Sequence, residues 1–155
     1  MQVFLIRHAA AVDETLVLRD PHRHLTPHGR TQARSLGDRL RWHDCTPTYV
    51  WSSPLVRAIQ TAELVIAGIG GTIAVEVDMD LAPDGSAREL VAKLGHVAPD
   101  AHVLLVGHEP SLSGIGGLLV GDYFKALDKS EAVRIDHGKL RWRFAWNAEA
   151  PALFK

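Results

Sequence analysis

An α/β three-layer sandwich, with a mainly parallel central sheet, helices on both faces and an antiparallel hairpin at one edge, is the fold class this sequence predicts. Three observations carry that expectation. Two short runs, Val3-Phe4-Leu5-Ile6 and Val103-Leu104-Leu105-Val106, are apolar throughout, as strands buried on both faces are. Segments with helically spaced apolar residues alternate with the strand-like runs, which is the order of repeated βα units. Near the end, residues 132–136 and 140–146 alternate in polarity around His137-Gly138, which reads as a hairpin with His137 in its turn.

The chain of 155 residues is long enough to bury a core without disulfides, and it is expected to form one domain over 1–155. Its net charge of -1 creates no global field for nucleic acid or an anionic membrane, so neither is expected as a partner. Any anion must be bound by a local cluster. Cys45 is the only cysteine and reads as a small filler near a helix end. A lone cysteine, no apolar run of membrane-spanning length and no signal-peptide pattern together give a cytoplasmic location as the expectation.

Strand one is expected over residues 2–7, and it stops at Arg7-His8, the carboxyl end where open α/β sheets hold ligands. Residues 9–25 then turn polar and irregular, including Pro21-His22-Arg23-His24. A loop of this length at a site's mouth tends to be functional, so Arg19 and Arg23 are candidate substrate-rim residues. His22 and His24 resemble a metal pair only superficially, because no carboxylate or cysteine stands beside them at ligand spacing. No metal or other cofactor is expected.

Thr26-Pro27 is an N-cap followed by proline at the first helical position, and Ala33, Leu36 and Leu40 continue the stripe to about Trp42. Tyr49-Val50-Trp51-Ser52 reads as the second strand. Ser53-Pro54 repeats the cap-plus-proline start for a helix carrying Leu55, Ile59, Ala62, Val65 and Ile66, with Arg57 in its first turn. Glycines over 68–71 end that helix, and residues 73–77 alternate as a third strand. After a loop with Asp78, Asp80 and Asp84, Ser86-Ala87-Arg88-Glu89 has capping-box spacing for a helix through Leu94. The strand at 103–106 ends at Gly107-His108, as the first ends at Arg7-His8, and Pro110 restarts a helix to about Val120. Trp142, Phe144 and Trp146 alternate as one packed face of the hairpin. Residues 148–155 carry no readable signal. Arg30, Arg34, Arg39 and Arg41 read mainly as a solvated helix face.

Arg7, His8, Arg57 and His108 all follow strand ends directly or sit one helical turn beyond, so one sheet edge can gather them. Two Arg and two His in a small space call for an anion. Arginine forks suit phosphoryl oxygens, and a neutral imidazole among cations is a nucleophile near pH 7. Together they suggest in-line attack on phosphorus, a phosphohistidine intermediate and hydrolysis.

The stretches Leu5-Ile6-Arg7-His8-Ala9, Leu25-Thr26-Pro27-His28-Gly29-Arg30-Thr31-Gln32-Ala33, Ser52-Ser53-Pro54-Leu55-Val56-Arg57-Ala58-Ile59-Gln60-Thr61-Ala62 and Val106-Gly107-His108-Glu109-Pro110 resemble the four successive blocks of the histidine phosphatase superfamily, the phosphoglycerate mutase-like fold. In length, and in Leu81-Ala82-Pro83-Asp84-Gly85, the chain is most similar to the small SixA-type phosphohistidine phosphatases. The resemblance implies His8 as phosphoryl-accepting nucleophile and Arg7, Arg57 and His108 as phosphate-binding and catalytic partners. Two departures stand out. Ala9 replaces the usual glycine after the nucleophile, where its methyl could crowd the phosphate. Pro83 stands about where larger members carry an acidic residue, leaving Asp84 and Asp80 as candidate general acids.

A phosphohistidine imidazole leaves far more readily than an alkoxide, so an uncertain acid favours a phosphoramidate substrate. The expected function is therefore dephosphorylation of phosphohistidine on a protein partner, such as a histidine phosphotransfer domain, with inorganic phosphate as product. Two alternatives stay open: a broad small-molecule phosphomonoesterase using Asp84 or Asp80, and a catalytically weak phosphate- or partner-binding module.

Overall fold

The two apolar runs form adjacent interior strands. In the computed structural model, which describes residues 1–155, the strands are β1 (Gln2–Arg7), β2 (Tyr49–Ser52), β3 (Val75–Val77), β4 (His102–Gly107), β5 (Glu131–Asp136), β6 (Lys139–Ala145) and β7 (Ala152–Leu153). The helices are α1 (Pro27–Leu40), α2 (Val56–Ile69), α3 (Ala87–Leu94) and α4 (Ser111–Val120), with 3-10 turns at Asp20–His22 and Met79–Leu81. One seven-stranded sheet runs β3-β2-β4-β1-β5-β6-β7. Its first four strands are parallel, whereas β5, β6 and β7 pair antiparallel at the other side. This is the mixed α/β architecture the sequence predicts.

Side-chain alternation along the interior strands divides the core into two layers. Phe4 and Ile6 of β1, with Leu104 and Val106 of β4, pack against α1 and α2 through Ala33, Leu36, Leu40, Ala58, Ala62 and Val65. Val3 and Leu5, with Val103 and Leu105, face Leu90 and Leu94 of α3 and Leu112 and Ile115 of α4. Each central strand is thus buried on both faces, which is why neither shows a polar alternation. Trp142 and Phe144 extend the first layer across the hairpin, their rings 6.0 Å apart. Trp146 packs against the same layer. At the turn, His137 (φ 49°) and Gly138 (φ 74°) both take the left-handed conformation that tight two-residue hairpins require. Cys45 is buried in the first layer, and burial pushes its thiol up to about 12.

Three local expectations need correction. The second helix begins at Val56 rather than at Pro54, because Ser53 is still strand-like: its N–H donates to the Val106 carbonyl at 2.9 Å. The third strand is shorter than residues 73–77, holding only Val75–Val77 beside β2. The tail does contribute an element: β7 adds two residues alongside Trp142 and Arg143 of β6. No helix is long and apolar enough to cross a membrane.

Candidate active site

Strand register sets the floor of the site. Arg7 of β1 lies opposite Gly107 of β4, so the residues that follow, His8 and His108, leave neighbouring parallel strands at the same level. The His8 N–H donates to the Gly107 carbonyl at 3.0 Å, and the two imidazole rings stand 5.0 Å apart, tilted by 54°. Both histidines are buried, at 7% and 4% exposure.

The backbone around His8 is fixed from three sides. Ala9 N–H donates to Thr61 Oγ1 at 3.0 Å, and that hydroxyl donates to the Arg57 carbonyl at 2.8 Å, tying the residue after His8 to α2. Ala10 N–H donates to Gln32 Oε1 of α1 at 2.9 Å. From β5's leading turn, Ser130 N–H lies 3.0 Å from the Arg7 carbonyl and 3.3 Å from the His8 carbonyl. Gly29 allows α1 to come this close, since a Cβ there would overlap the Ala10 carbonyl oxygen. The methyl of Ala9 lies in the α1/α2 core layer, and its φ is outside the left-handed region, so alanine fits without backbone strain.

The imidazole of His8 has a defined tautomer. Its Nδ1 lies 2.8 Å from the Ala9 carbonyl. A carbonyl can only accept, so Nδ1 carries the proton and Nε2 keeps its lone pair. Burial, reinforced by the charges of Arg57, Arg7 and Lys129 against the opposing pull of the Ala9 carbonyl, lowers His8 to about 4. His108 falls to about 3, through burial first and then the proximity of His8, Arg57 and Arg7. Both rings are neutral at pH 7.

Arg57 enters from the first turn of α2 and is 6% exposed. Its Nη1 donates to the Asp20 carbonyl at 2.9 Å, while the Asp20 carboxylate lies 3.3 Å from Nη1 and 3.4 Å from Nη2. Arg7 Nη1 donates to the Leu127 carbonyl at 3.0 Å, which holds the guanidinium in place. His108 Nε2 sits 2.7 Å from Ser53 Oγ, which also accepts the Leu55 N–H at 3.2 Å. Arg7 Nε, Arg57 Nε and His108 Nδ1 are buried and have no partner within the protein. Gln2 Oε1, Glu109 Oε2, Ser111 Oγ, Ser130 Oγ and Arg134 Nε are also unpaired, but buried polar groups generally find partners, and three unpaired nitrogens from one cationic cluster mark a place where an oxyanion's oxygens fit. Two guanidinium groups and two imidazoles brought together suit an oxyanion such as phosphate. No three His, Cys, Asp or Glu side chains gather in a way suited to a metal ion.

The rim residues separate. Arg23 belongs to the site's wall: its Nη1 holds Asp20 Oδ1 at 3.0 Å and its Nε donates to the Val12 carbonyl at 2.7 Å. Arg19 faces solvent, 62% exposed, 3.9 Å from Glu14. Asp80 is paired with Lys93 at 2.6 Å, and that hydrogen bond holds its carboxyl below the usual range. An ionised, paired carboxylate is a poor proton donor. Asp84 lies exposed in the turn before α3, with Pro83 exposed beside it.

Asp20, Ser53 and Thr61 are site residues that the sequence alone did not single out. Thr61 and Ser53 lie inside the block that resembles the histidine phosphatases, so a helical projection from Arg57 to Thr61 was the available signal. Asp20 had none, since it acquires its place through its contact with Arg57, distant in sequence.

Residues 3–82 match the family model of the histidine phosphatase superfamily (branch 1). An uncharacterised protein of Picosynechococcus sp. is 37% identical over 114 residues, covering 72% of this chain and 68% of that protein. Among solved structures, the protein histidine phosphatase SixA complexed with tungstate superposes with a TM-score of 0.85 and 26% identity, covering 94% of this chain and 97% of its own. An Escherichia coli protein described as an alpha-ribazole-5'-P phosphatase shares the fold, with a TM-score of 0.72 and 20% identity over 99% of each chain.

Proposed function

The chain belongs to the histidine phosphatase superfamily, and from that premise we propose that it dephosphorylates phosphohistidine on a protein partner through a phosphohistidine intermediate at His8. Membership and the SixA-like neighbours support phosphatase activity. The observation that carries the mechanism is the neutral His8 with its Nδ1 proton held by Ala9, leaving Nε2 as the nucleophile among three cationic or donor side chains.

In the proposed reaction Nε2 attacks phosphorus in line. The bond from phosphorus to the substrate imidazole breaks, and that imidazole leaves with a proton from solvent. Arg7 and Arg57 neutralise the equatorial oxygens and His108 donates to one of them as phosphorus becomes five-coordinate. Water then attacks the phosphoryl group on His8, releasing inorganic phosphate and restoring the free imidazole. No metal takes part.

The candidate acids favour a substrate with a good leaving group. Asp80 is committed to Lys93 and Asp84 has no hydrogen bond that would aim it. An alkoxide would need a positioned donor, whereas a protonated imidazole would not. A small-molecule phosphomonoesterase is the second reading, favoured by the fold shared with the alpha-ribazole-5'-P phosphatase. Phosphate release should be measured side by side from a phosphohistidine-bearing protein and from an alkyl phosphomonoester. A strong preference for phosphohistidine, untouched by Asp84→Asn, supports the proposal; preference for the ester, lost in the variant, supports the second reading.

A further inference from the structure

We infer that Asp20 is the resident counter-ion of Arg57 and that its carboxylate weakens the pocket's hold on phosphate-like anions, so that the product is released. The inference rests on the anion-pocket reading above and extends it to a residue of the loop between β1 and α1.

Asp20 meets Arg57 with two different groups. Its backbone carbonyl accepts from Nη1 at 2.9 Å, which aims the guanidinium. Its carboxylate, 3.3 to 3.4 Å from the two terminal nitrogens, neutralises it. A buried guanidinium without an anion is costly, and Asp20 removes that cost when no phosphoryl group is bound. The carboxylate is held by Arg23, whose Nη1 donates to Oδ1 at 3.0 Å, and the Asp20 backbone is held by Glu14, which accepts its N–H at 2.7 Å. Burial alone would raise the Asp20 carboxyl, but the Arg23 hydrogen bond and the Arg57 charge outweigh it and keep the group ionised. Its negative charge is also felt at His108 across the pocket.

Aiming and neutralising can therefore be separated. Any residue at position 20 retains the carbonyl that aims Arg57, and only the side chain carries the negative charge. An incoming phosphate dianion must share Arg57 with that charge. Like charges at this range in a partly buried site repel strongly, more than the side chain's contribution to holding Arg57 still can offset. The net effect of the carboxylate is weaker anion binding. In a phosphatase this limits inhibition by inorganic phosphate.

The test is calorimetric titration of tungstate and of inorganic phosphate into wild type, Asp20→Asn, Asp20→Ala and Asp20→Glu, with phosphate inhibition of turnover measured on the same proteins. Asn and Ala should each bind both oxyanions about tenfold more tightly or better. Their inhibition constants for phosphate should fall by the same factor, while Glu stays near wild type. The Asp20 side chain is 41% exposed, and thermal unfolding of the Asn and Ala variants, expected to match wild type, controls for folding. Unchanged or weaker binding in Asn and Ala, with wild type binding normally, overturns this inference alone. Tungstate binding by none of the four proteins overturns the pocket reading and the inference with it.

Discussion

The floor and the rim of the pocket are built by different means. On the floor, His8 and His108 are placed by the register of β1 and β4, held by backbone hydrogen bonds and buried. On the rim, Asp20 and Arg23 depend on side-chain pairs made from a long loop, with each other and with Arg57. The floor therefore has one geometry, fixed with the fold itself. The rim can change residue by residue without disturbing the sheet, which suits it to setting affinity and substrate choice while the floor carries the chemistry proposed for it.

Substitutions on the floor should divide sharply from those on the rim. The largest loss is expected for His8→Ala, which should lower phosphate release roughly 10,000-fold or more with thermal unfolding little changed. Substantial activity in that variant would remove the floor's chemical role. His108→Ala and Arg57→Ala should each cost about 100- to 1,000-fold in kcat, because each removes a donor to the developing charge. Ser53→Ala should cost less, about tenfold, with the loss in kcat rather than KM, since Ser53 acts through His108.

The floor also predicts a pH dependence. His8 at about 4 and His108 at about 3 bind fewer protons when folded than in the unfolded chain, where histidine titrates near 6.5. Between pH 6.5 and about 4 the unfolded state takes up protons that the native state does not, so stability should fall as pH is lowered through this window and be fully present above it. Activity, by contrast, should show no loss of nucleophile near pH 6.5, and His8→Asn should flatten part of the stability profile. Unfolding midpoints measured from pH 8 to 4 test the stability statement, and a pH–rate profile over the same range tests the one on activity.

At the rim the expected effects on a phosphohistidine substrate are small. Asp80→Asn and Asp84→Asn should each change kcat by less than about threefold, against a loss of 100-fold or more if either served as general acid to an ester. Ala9→Gly should be the mildest for activity. It removes a methyl packed in the core, and loss of about 1 kcal/mol of stability in chemical denaturation is the expected readout.

The same division explains what could be read without coordinates. His8 and His108 were legible because apolar runs stop at them, and Arg57 because it follows a strand at the start of a helical stripe. The α/β order and the hairpin at His137-Gly138 were legible from periodicity and turn chemistry. The start of α2 was not, since Ser-Pro is a sound helix signal locally and only pairing with β4 keeps Ser53 extended. Nor was β7, whose two residues carry no period. Asp20 lies 37 positions from Arg57, and nothing in its loop announces the pair. The sequence alone suggests that Ala9 could crowd the phosphate; its full burial within the α1/α2 core layer places the methyl in the core.

The central claim is a phosphoryl group carried on His8. Rapid quenching of the protein during turnover of a phosphohistidine substrate labelled in the phosphoryl group, followed by peptide mapping under alkaline conditions, tests it most directly. An acid-labile label on Nε2 of His8, absent in His8→Ala and accumulating further in a variant slowed at hydrolysis, is the predicted result. Label on another residue, or full turnover with no label on His8 at any time, would contradict it.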